Sequence, residues 1–253
     1  MVEPRMLPVM PPEILVIDQE EPCPYLEGRT ARRPMRLPTR RLRPHELDQR
    51  LEAGDRRAGP LFYAQACPSC RACEPLRIDT SRFVATRGQR RAWSKGQRAL
   101  SMSLGPLVVD DERVALFDRH QSLRGLKRPG PDGSTREFGP DEYHAFLVER
   151  AVEAFEIRYF LGDRLVGVAI TDRGADAWSA VYTYYEPELA EPHRSLSLGT
   201  FSILAQLELA KRSKVRWLYL GLAIGENEHM RYKLDYLPHE RRIDGAWSAF
   251  ERA

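Results

Sequence analysis

The 253-residue chain lacks a continuous apolar run of the roughly 18 residues that a membrane-spanning helix requires. Residues 1–22 also lack the apolar core and the small-residue cleavage site of a secretory signal peptide. These absences predict a cytoplasmic protein without a membrane partner. The apolar fraction of 42% is sufficient for the core of a globular protein.

Cysteine is scarce, with four residues in all and none after residue 73. Cys67, Cys70 and Cys73 form a C-x-x-C-x-x-C run, and Cys23 lies upstream of it. Thiols at this spacing can share a metal, and the fourth cysteine could complete a four-thiolate site. We therefore expect zinc or an iron–sulfur cluster, between which the spacing does not choose. Buried or reactive thiols and redox disulfides are the alternatives.

Net charge is only +3, but positive charge is concentrated in one segment. From Arg29 to Arg98 the chain has 18 lysine and arginine residues against 6 aspartate and glutamate residues. Nearly all of these cations are arginines, whose planar donor fork suits phosphates and carboxylates. The segregation predicts a basic face for a polyanion such as RNA, and a solvated arginine-rich surface is the alternative.

Periodicity and turn residues predict the helices and strands. Residues 1–22 are rich in proline and lack a clear period, so we expect an irregular arm. Two β-rich runs joined at Gly162-Asp163 predict a hairpin over 156–172, and residues 130–134 form a turn-rich break. One helix is predicted to begin after Pro44, and the other predicted helices cover 89–100, 113–127, 140–154, 197–214 and 229–236. The other predicted strands cover 61–65, 76–83, 177–187, 216–224 and 246–251.

The second half of the chain is thus predicted to run helix, helix, three strands, helix, strand, helix, strand. This order resembles the acyltransferase fold of the GNAT (N-acetyltransferase) superfamily. We predict an α/β (α+β) protein in two parts. Residues 1–110 would form a smaller, basic, cysteine-bearing N-terminal domain, and residues 111–253 a GNAT-like C-terminal transferase domain.

Several motifs, taken together and in order, resemble one family over nearly the whole chain. That family is the aminoacyl-tRNA–protein transferases, which comprise the arginyltransferases and the shorter bacterial aspartate/glutamate leucyltransferases. The chain departs from the family pattern after Gly221, where Leu222 and Ala223 replace an aromatic pair. The matching segments are CPYL (23–26), FYAQACPSCRACEPLRI (62–78), QRR (89–91), VYTYYEP (181–187), SLGTFSILAQLELA (197–210), YLGLAI (219–224) and MRYK (230–233).

The resemblance implies transfer of an amino acid from an aminoacyl-tRNA to the N-terminal Asp or Glu of an acceptor protein, which marks that protein for degradation. Chain length favours leucine as the donor amino acid, with arginine as the alternative. The ester is already activated, so no cofactor is required for the chemistry. The enzyme must align two substrates, help the acceptor amine to lose a proton and stabilise the oxyanion.

Three residues are candidates for this chemistry. Tyr182, Tyr184 and Glu186 alternate along one face of a predicted strand. Tyr184 is a catalytic candidate, and Glu186, at the strand end, could bind the acceptor ammonium or accept its proton. Tyrosines at such positions are more commonly core residues. Lys233, in the M-x-YK motif, could contact a phosphate or the oxyanion, and a solvated lysine is the alternative.

The start of the predicted helix at 197–214 is the candidate site for the 3′ end of the tRNA. Its backbone N–H groups and dipole could bind an anion there, and Ser197 as an ordinary helix cap is the alternative. The candidate donor-binding residues are Arg194, Leu198, Gly199, Thr200 and Tyr232.

The acidic residue of the acceptor requires a cationic pocket. Arg77, Arg90 and Arg91 are candidates because arginine binds carboxylates through two parallel hydrogen bonds. The same three residues could hold tRNA phosphates instead.

Two functions of other classes are alternatives. A non-catalytic RNA-binding metal module would use only the basic cysteine-bearing region, and the intact SLGT and M-x-YK motifs disfavour it. A small-molecule N-acyltransferase would use coenzyme A, and the absence of the spaced glycines that bind its pyrophosphate disfavours that reading.

Overall fold

The computed structural model describes residues 5–7, 9–126 and 138–252, which form one eight-stranded, one five-stranded and one two-stranded sheet. The turn-rich break predicted at 130–134 lies outside these residues. No helix in the described ranges is long and apolar enough to cross a bilayer.

The helices are α1 (Pro44–Glu52), α2 (Arg87–Ala99), α3 (Asp111–Leu123), α4 (Pro140–Tyr143) and α5 (Leu198–Arg212), with a π-helical turn at His144–Val148 and a 3-10 helix at Arg231–Asp235. The strands are β1 (Arg5–Leu7), β2 (Glu13–Ile17), β3 (Glu20–Pro22), β4 (Thr30–Arg32), β5 (Met35–Pro38), β6 (Arg56–Ala58), β7 (Leu61–Tyr63), β8 (Glu74–Asp79), β9 (Ser101–Gly105), β10 (Ala154–Leu161), β11 (Arg164–Arg173), β12 (Ala177–Tyr185), β13 (Trp217–Ala223), β14 (His239–Ile243) and β15 (Ala246–Phe250).

The eight-stranded sheet has the order β15-β14-β8-β13-β12-β11-β10-β9. Its described neighbours pair antiparallel except β12 and β13, which are parallel and are connected through α5. Parallel neighbours need such a crossover because the chain must return to the same end of the sheet. The predicted α/β class and the GNAT-like order of three strands, a helix and a further strand are confirmed.

Strands β12 and β13 separate towards their carboxyl ends. Their pairing covers only Ala177–Ser179 against Trp217–Tyr219, although β12 continues to Tyr185 and β13 to Ala223. Where neighbouring strands part in an open α/β sheet, the carboxyl ends leave a crevice that ligands can enter. The fold therefore provides a binding crevice between these two strands.

Helix α2 packs closely on α5 through a glycine. A Cβ atom at Gly96 would lie 2.2 Å from the Phe201 ring, so only glycine allows this approach. Trp93 of α2 stacks on the same ring, with centroids 5.1 Å apart. Helix α5 lies against β12 and β13, and α2 packs on α5 beside its amino-terminal half.

The irregular arm expected at residues 1–22 is wrong, because strands β1, β2 and β3 lie within it. In β2, Leu15 and Glu13 are both buried. Arg36 and Arg50 neutralise the Glu13 carboxylate. A buried glutamate interrupts the apolar alternation by which a strand is recognised, so the pattern failed here.

The main sheet combines strands from both sides of the domain boundary proposed at residue 110. Strand β8 lies between β13 and β14, and β9 pairs with β10. The helix expected over 140–154 is shorter, since helical structure ends at Val148 and β10 begins at Ala154. Strand β14 was not predicted. The helix expected after Pro44 is confirmed, with Leu47 and Leu51 both buried.

Candidate functional site

A cavity of about 1140 Å³ occupies the crevice between β12 and β13. Residues 179–183 of β12 and 220–222 of β13 form two of its walls. Residues 197–200, at the start of α5, and residues of the 3-10 helix also line the cavity. The cavity is large enough for a small molecule or for the ends of two chain-like substrates.

The first turn of α5 presents free backbone donors to the cavity. Ser197 makes no side-chain capping hydrogen bond, which disfavours its interpretation as an ordinary cap. The first N–H groups of a helix have no partner within the helix, and together with the dipole they favour an anion. A Cβ atom at Gly199 would lie 3.3 Å from the Tyr185 hydroxyl, so glycine lets this tyrosine pack on the turn.

Lys233 is buried at the cavity, 8% exposed, in the 3-10 helix. Its Nζ donates a hydrogen bond of 2.7 Å to the Leu222 carbonyl of β13 and lies 3.7 Å from the Met230 sulfur. Burial, with a further contribution from the nearby Arg56 guanidinium, lowers the pKa of Lys233 to about 7. The amine can therefore gain or lose a proton near neutral pH, as an acid–base catalyst must.

Arg56, the first residue of β6, also lines the cavity. Its Nη1 is buried and has no hydrogen-bond partner among the described residues. Its guanidinium reaches towards Gly221, where a Cβ atom would lie 2.9 Å from Nη2 of Arg56 and 3.5 Å from Nζ of Lys233. Gly221 has a φ of +84°, which strongly favours glycine. Sequence reasoning missed Arg56, whose only signal was its place in the basic segment.

Two family models match the chain in order. The model described as "Arginine-tRNA-protein transferase, N terminus" matches residues 21–91, and the model described as "Arginine-tRNA-protein transferase, C terminus" matches residues 112–243. The chain belongs to this transferase family. Its members are enzymes, so a non-catalytic binding module is excluded, and the family resemblance noted in the sequence is confirmed.

Curated relatives align along most of the chain. A protein of Thiobacillus denitrificans is 38% identical over 229 residues, which cover 90% of this chain and 91% of the relative. A protein of Halorhodospira halophila is 38% identical over 231 residues, covering 90% and 94%. A protein of Aeromonas hydrophila is 38% identical over 197 residues, covering 78% of each. All three are named aspartate/glutamate leucyltransferase.

The structure of this family member brings part of the predicted site together. The cavity lining includes the predicted residues Leu198, Gly199, Thr200, Tyr232 and Lys233. Tyr232 is 44% exposed at the cavity. Arg194 lies outside the lining, on the exposed loop that leads into α5.

Two predicted catalytic residues lie outside the cavity lining. The Tyr184 hydroxyl shares a hydrogen bond with that of Tyr143, and the ring packs edge-on against Phe117 of α3 in the core. The Glu186 carboxylate is buried and forms ion pairs with Arg164 at 2.7 Å and with Arg119 at 3.3 Å. These contacts favour a structural role for both residues, because neither side chain lines the cavity.

The predicted acceptor arginine Arg77 is enclosed by its own partners. Its guanidinium lies between the rings of Trp217 and Trp247, at 3.9 and 4.1 Å from their centroids. It forms ion pairs with Glu52 and with Glu240, the latter at 2.7 Å. A guanidinium that already has two carboxylates and two aromatic faces has little capacity for a ligand, so these contacts favour a structural role.

The other two predicted acceptor arginines lie on the surface of α2. Arg90 donates a hydrogen bond to the Ala85 carbonyl, and Arg91 is exposed. Neither lines the cavity. Within the described residues no carboxylate forms an ion pair with the five exposed cations of this helix, which we call the α2 basic face: Arg87, Arg90, Arg91, Lys95 and Arg98.

The four cysteines line a second cavity of about 400 Å³. Burial and the neighbouring Cys23, Cys67 and Cys70 raise the pKa of Cys73 to about 12, whereas a backbone hydrogen bond and Arg29 lower the pKa of Cys70. All four side chains thus lie in one region. Nevertheless, no three His, Cys, Asp or Glu residues in the described ranges are arranged to hold a metal ion.

Proposed function

We propose that this protein transfers leucine from leucyl-tRNA to the N-terminal Asp or Glu of acceptor proteins. The alignment over 90% of the chain with a relative named aspartate/glutamate leucyltransferase carries this proposal. The cavity supports it, because an anion-binding helix start and buried cations lie at one site. An aminoacyl-tRNA donor would confine the reaction to the cytoplasm, and the product would be marked for degradation.

The donor would enter from the side of α5. The 3′-terminal nucleotide would lie at residues 198–200, where the backbone donors face the cavity. Phosphates of the acceptor stem would follow the α2 basic face, which Gly96 holds against α5. Lys95 Nζ donates a hydrogen bond to the Ser195 hydroxyl, 3.2 Å away, and this contact connects α2 with the loop that carries Arg194. We therefore propose phosphate contacts for Arg90, Arg91 and Arg194.

The reaction requires one proton transfer from the acceptor and one to the leaving group. The acceptor α-amine attacks the ester carbonyl carbon, and neutral Lys233 accepts the proton that the amine loses. The tetrahedral intermediate then collapses to the new peptide bond, and the ester C–O bond breaks as the tRNA 3′ oxygen takes that proton from the Lys233 ammonium and leaves as a hydroxyl. The Leu222 carbonyl accepts one Lys233 N–H, which orients the amine and leaves its lone pair available.

The proposal is tested by offering the purified protein labelled leucyl-tRNA or arginyl-tRNA with peptides beginning in Asp, Glu, Lys or Ala. We expect label from leucyl-tRNA only on the Asp and Glu peptides. Transfer from arginyl-tRNA alone would instead make arginine the donor amino acid, as in the family described as "Arginine-tRNA-protein transferase". Transfer that survives RNase digestion of the donor, or that requires an acyl-coenzyme A, would exclude the proposal.

Removing cations from the α2 basic face should weaken donor binding in a salt-dependent manner. For Arg91→Ala we expect a lower affinity for leucyl-tRNA. The slope of log affinity against log salt should be smaller by about 1, because binding releases fewer counterions when one phosphate contact is lost. Affinities measured by filter binding from low to physiological salt check this. Arg212→Ala, at the other end of α5 and paired with Glu208, is the control and should leave the slope unchanged. An unchanged slope in Arg91→Ala would remove this residue from the donor site.

We further propose that the four cysteines hold a structural zinc ion or iron–sulfur cluster. The cavity that the four thiols share supports this proposal. Within the described residues, the thiols are not arranged as the ligands of a metal ion. Such a group would order the thiol-bearing loops and would take no part in acyl transfer. Elemental analysis of protein purified without oxygen should find zinc, or iron with sulfide, and Cys70→Ser should lower the content and the thermal stability. A metal-free protein whose four thiols all react freely would refute it.

A further inference from the structure

We propose that Arg56 binds the side-chain carboxylate of the acceptor's N-terminal residue, and that Gly221 provides the space for this contact. The inference rests on the proposed function and names the residue that would select acidic acceptors. It replaces Arg77 in that role, since Arg77 is enclosed by Glu52 and Glu240.

Arg56 differs from the other arginines that line the cavity. Arg33 and Arg57 are ion-paired, the former with Glu21 and the latter with Asp172. Arg124 is exposed. Arg56 alone among these four combines a buried nitrogen with the absence of a hydrogen-bond partner, within the residues that the structure describes. A buried guanidinium nitrogen without a partner is costly, so an anionic ligand that pairs with it would bind strongly.

The second cation at this point strengthens the argument. Lys233 Nζ and Arg56 Nη2 both lie within 3.5 Å of the position where a Cβ atom of Gly221 would stand. Burial lowers the pKa of both groups, and the Arg56 guanidinium lowers the pKa of Lys233 further. A carboxylate placed between them would relieve this repulsion. The pair of cations is therefore arranged for an anion that arrives with the substrate.

The closeness of Arg56 and Lys233 suits an N-terminal Asp or Glu, which presents a carboxylate and a free α-amine together. In Asp and Glu the α-amine and the carboxylate are only a few bonds apart. With the carboxylate on Arg56, the adjacent Lys233 would be near the α-amine from which it must take a proton. The same contact would thus select the acceptor and align the nucleophile, which is how binding energy contributes to rate.

A carboxylate fits this position better than a tRNA phosphate. Arg56 and Gly221 lie on the β13 side of the crevice, where Nη1 of the guanidinium is buried. The start of α5 packs on Tyr185 of β12, and the cations of the α2 basic face are exposed to an incoming polyanion. A planar carboxylate also matches the guanidinium fork with two parallel hydrogen bonds.

The test measures binding and transfer with matched peptides that begin in Asp or Asn, and in Glu or Gln. Fluorescently labelled peptides are titrated with the full-length protein, and transfer from leucyl-tRNA is followed separately. We expect Arg56→Met to reduce the preference for Asp over Asn by about 100-fold while leucyl-tRNA binding is unchanged. Arg56→Lys should retain part of the preference. Arg33→Met, which alters an ion-paired cavity arginine, should retain it fully.

The ratio of two peptides in one preparation is independent of the folded fraction, so partial unfolding of a variant does not distort the result. An intact preference in Arg56→Met and Arg56→Lys would overturn the inference, as would equal or undetectable binding of the Asp and Asn peptides by the unmodified protein. If the unmodified protein binds the Asp peptide selectively but transfers no leucine, the proposed function fails and the inference about Arg56 stands.

Discussion

Lys233→Met should lower kcat for transfer by about 10²- to 10⁴-fold, the usual contribution of a positioned general base. The buried amine, with its pKa lowered to about 7, is available as a base at neutral pH. Methionine has a similar length and cannot accept a proton. Single-turnover transfer from leucyl-tRNA to an Asp peptide, with both substrates saturating, measures the loss.

The pH profile separates a base from a fixed charge. In the unmodified enzyme the rate should rise as pH increases through about 7, because Lys233 becomes neutral. Lys233→Arg is the matched control: arginine would support oxyanion stabilisation but cannot act as a base. Substantial activity in Lys233→Arg would therefore assign Lys233 to the oxyanion instead.

Folding stability provides a second readout of the same group. The pKa of Lys233 is 10.5 without its surroundings and about 7 when buried, so between these values the unfolded chain binds the additional proton. The free energy of unfolding should consequently rise with pH across that window. Lys233→Met should lose this part of the pH dependence, and a curve with the same slope in both proteins would contradict the buried amine.

Arg77→Met should reduce the free energy of unfolding by about 1–3 kcal/mol, as expected when a buried hydrogen-bond donor is removed and its partners are left unsatisfied. The variant would lose two ion pairs and the stacking of the guanidinium between Trp217 and Trp247. It would also leave the buried Tyr219 hydroxyl without the donor that lies 3.1 Å away. Denaturant unfolding followed by tryptophan fluorescence measures the change.

Arg82→Met is the control for Arg77, because Arg82 and its partner Glu251 are both more than half exposed. Loss of this pair should cost no more than about 1 kcal/mol. Among folded molecules Arg77→Met should keep the preference for Asp over Asn. A variant of full stability that loses this preference would restore Arg77 to the acceptor site.

Local signals were sufficient for the elements that are long or end in a defined turn. Gly162 adopts a φ of +58° at the predicted hairpin between β10 and β11, as the turn there requires. Helix α5 has 15 residues and its predicted limits differ by only one or two positions. Strands β3 and β14 escaped prediction because they are short and polar.

The site was predictable only where a motif carried it. The SLGT and M-x-YK motifs led to residues 198–200 and to Lys233, and the structure brings these together at one cavity. Sequence distinguishes charged residues but does not reveal their partners. Arg77 was therefore preferred over Arg56 as the residue that binds the acceptor carboxylate. In the structure, Arg77 pairs with residues 25 and 163 positions away, whereas Arg56 Nη1 has no described partner.

The position of β8 between β13 and β14 has a consequence for synthesis of the protein. Strand β8 leaves the ribosome long before either neighbour, since they lie more than a hundred residues further along the chain. Until then both of its edges are unpaired, and exposed edges invite pairing with other chains. Nascent chains of this enzyme should thus depend on chaperones until the last strands emerge, and the N-terminal segment expressed alone should aggregate.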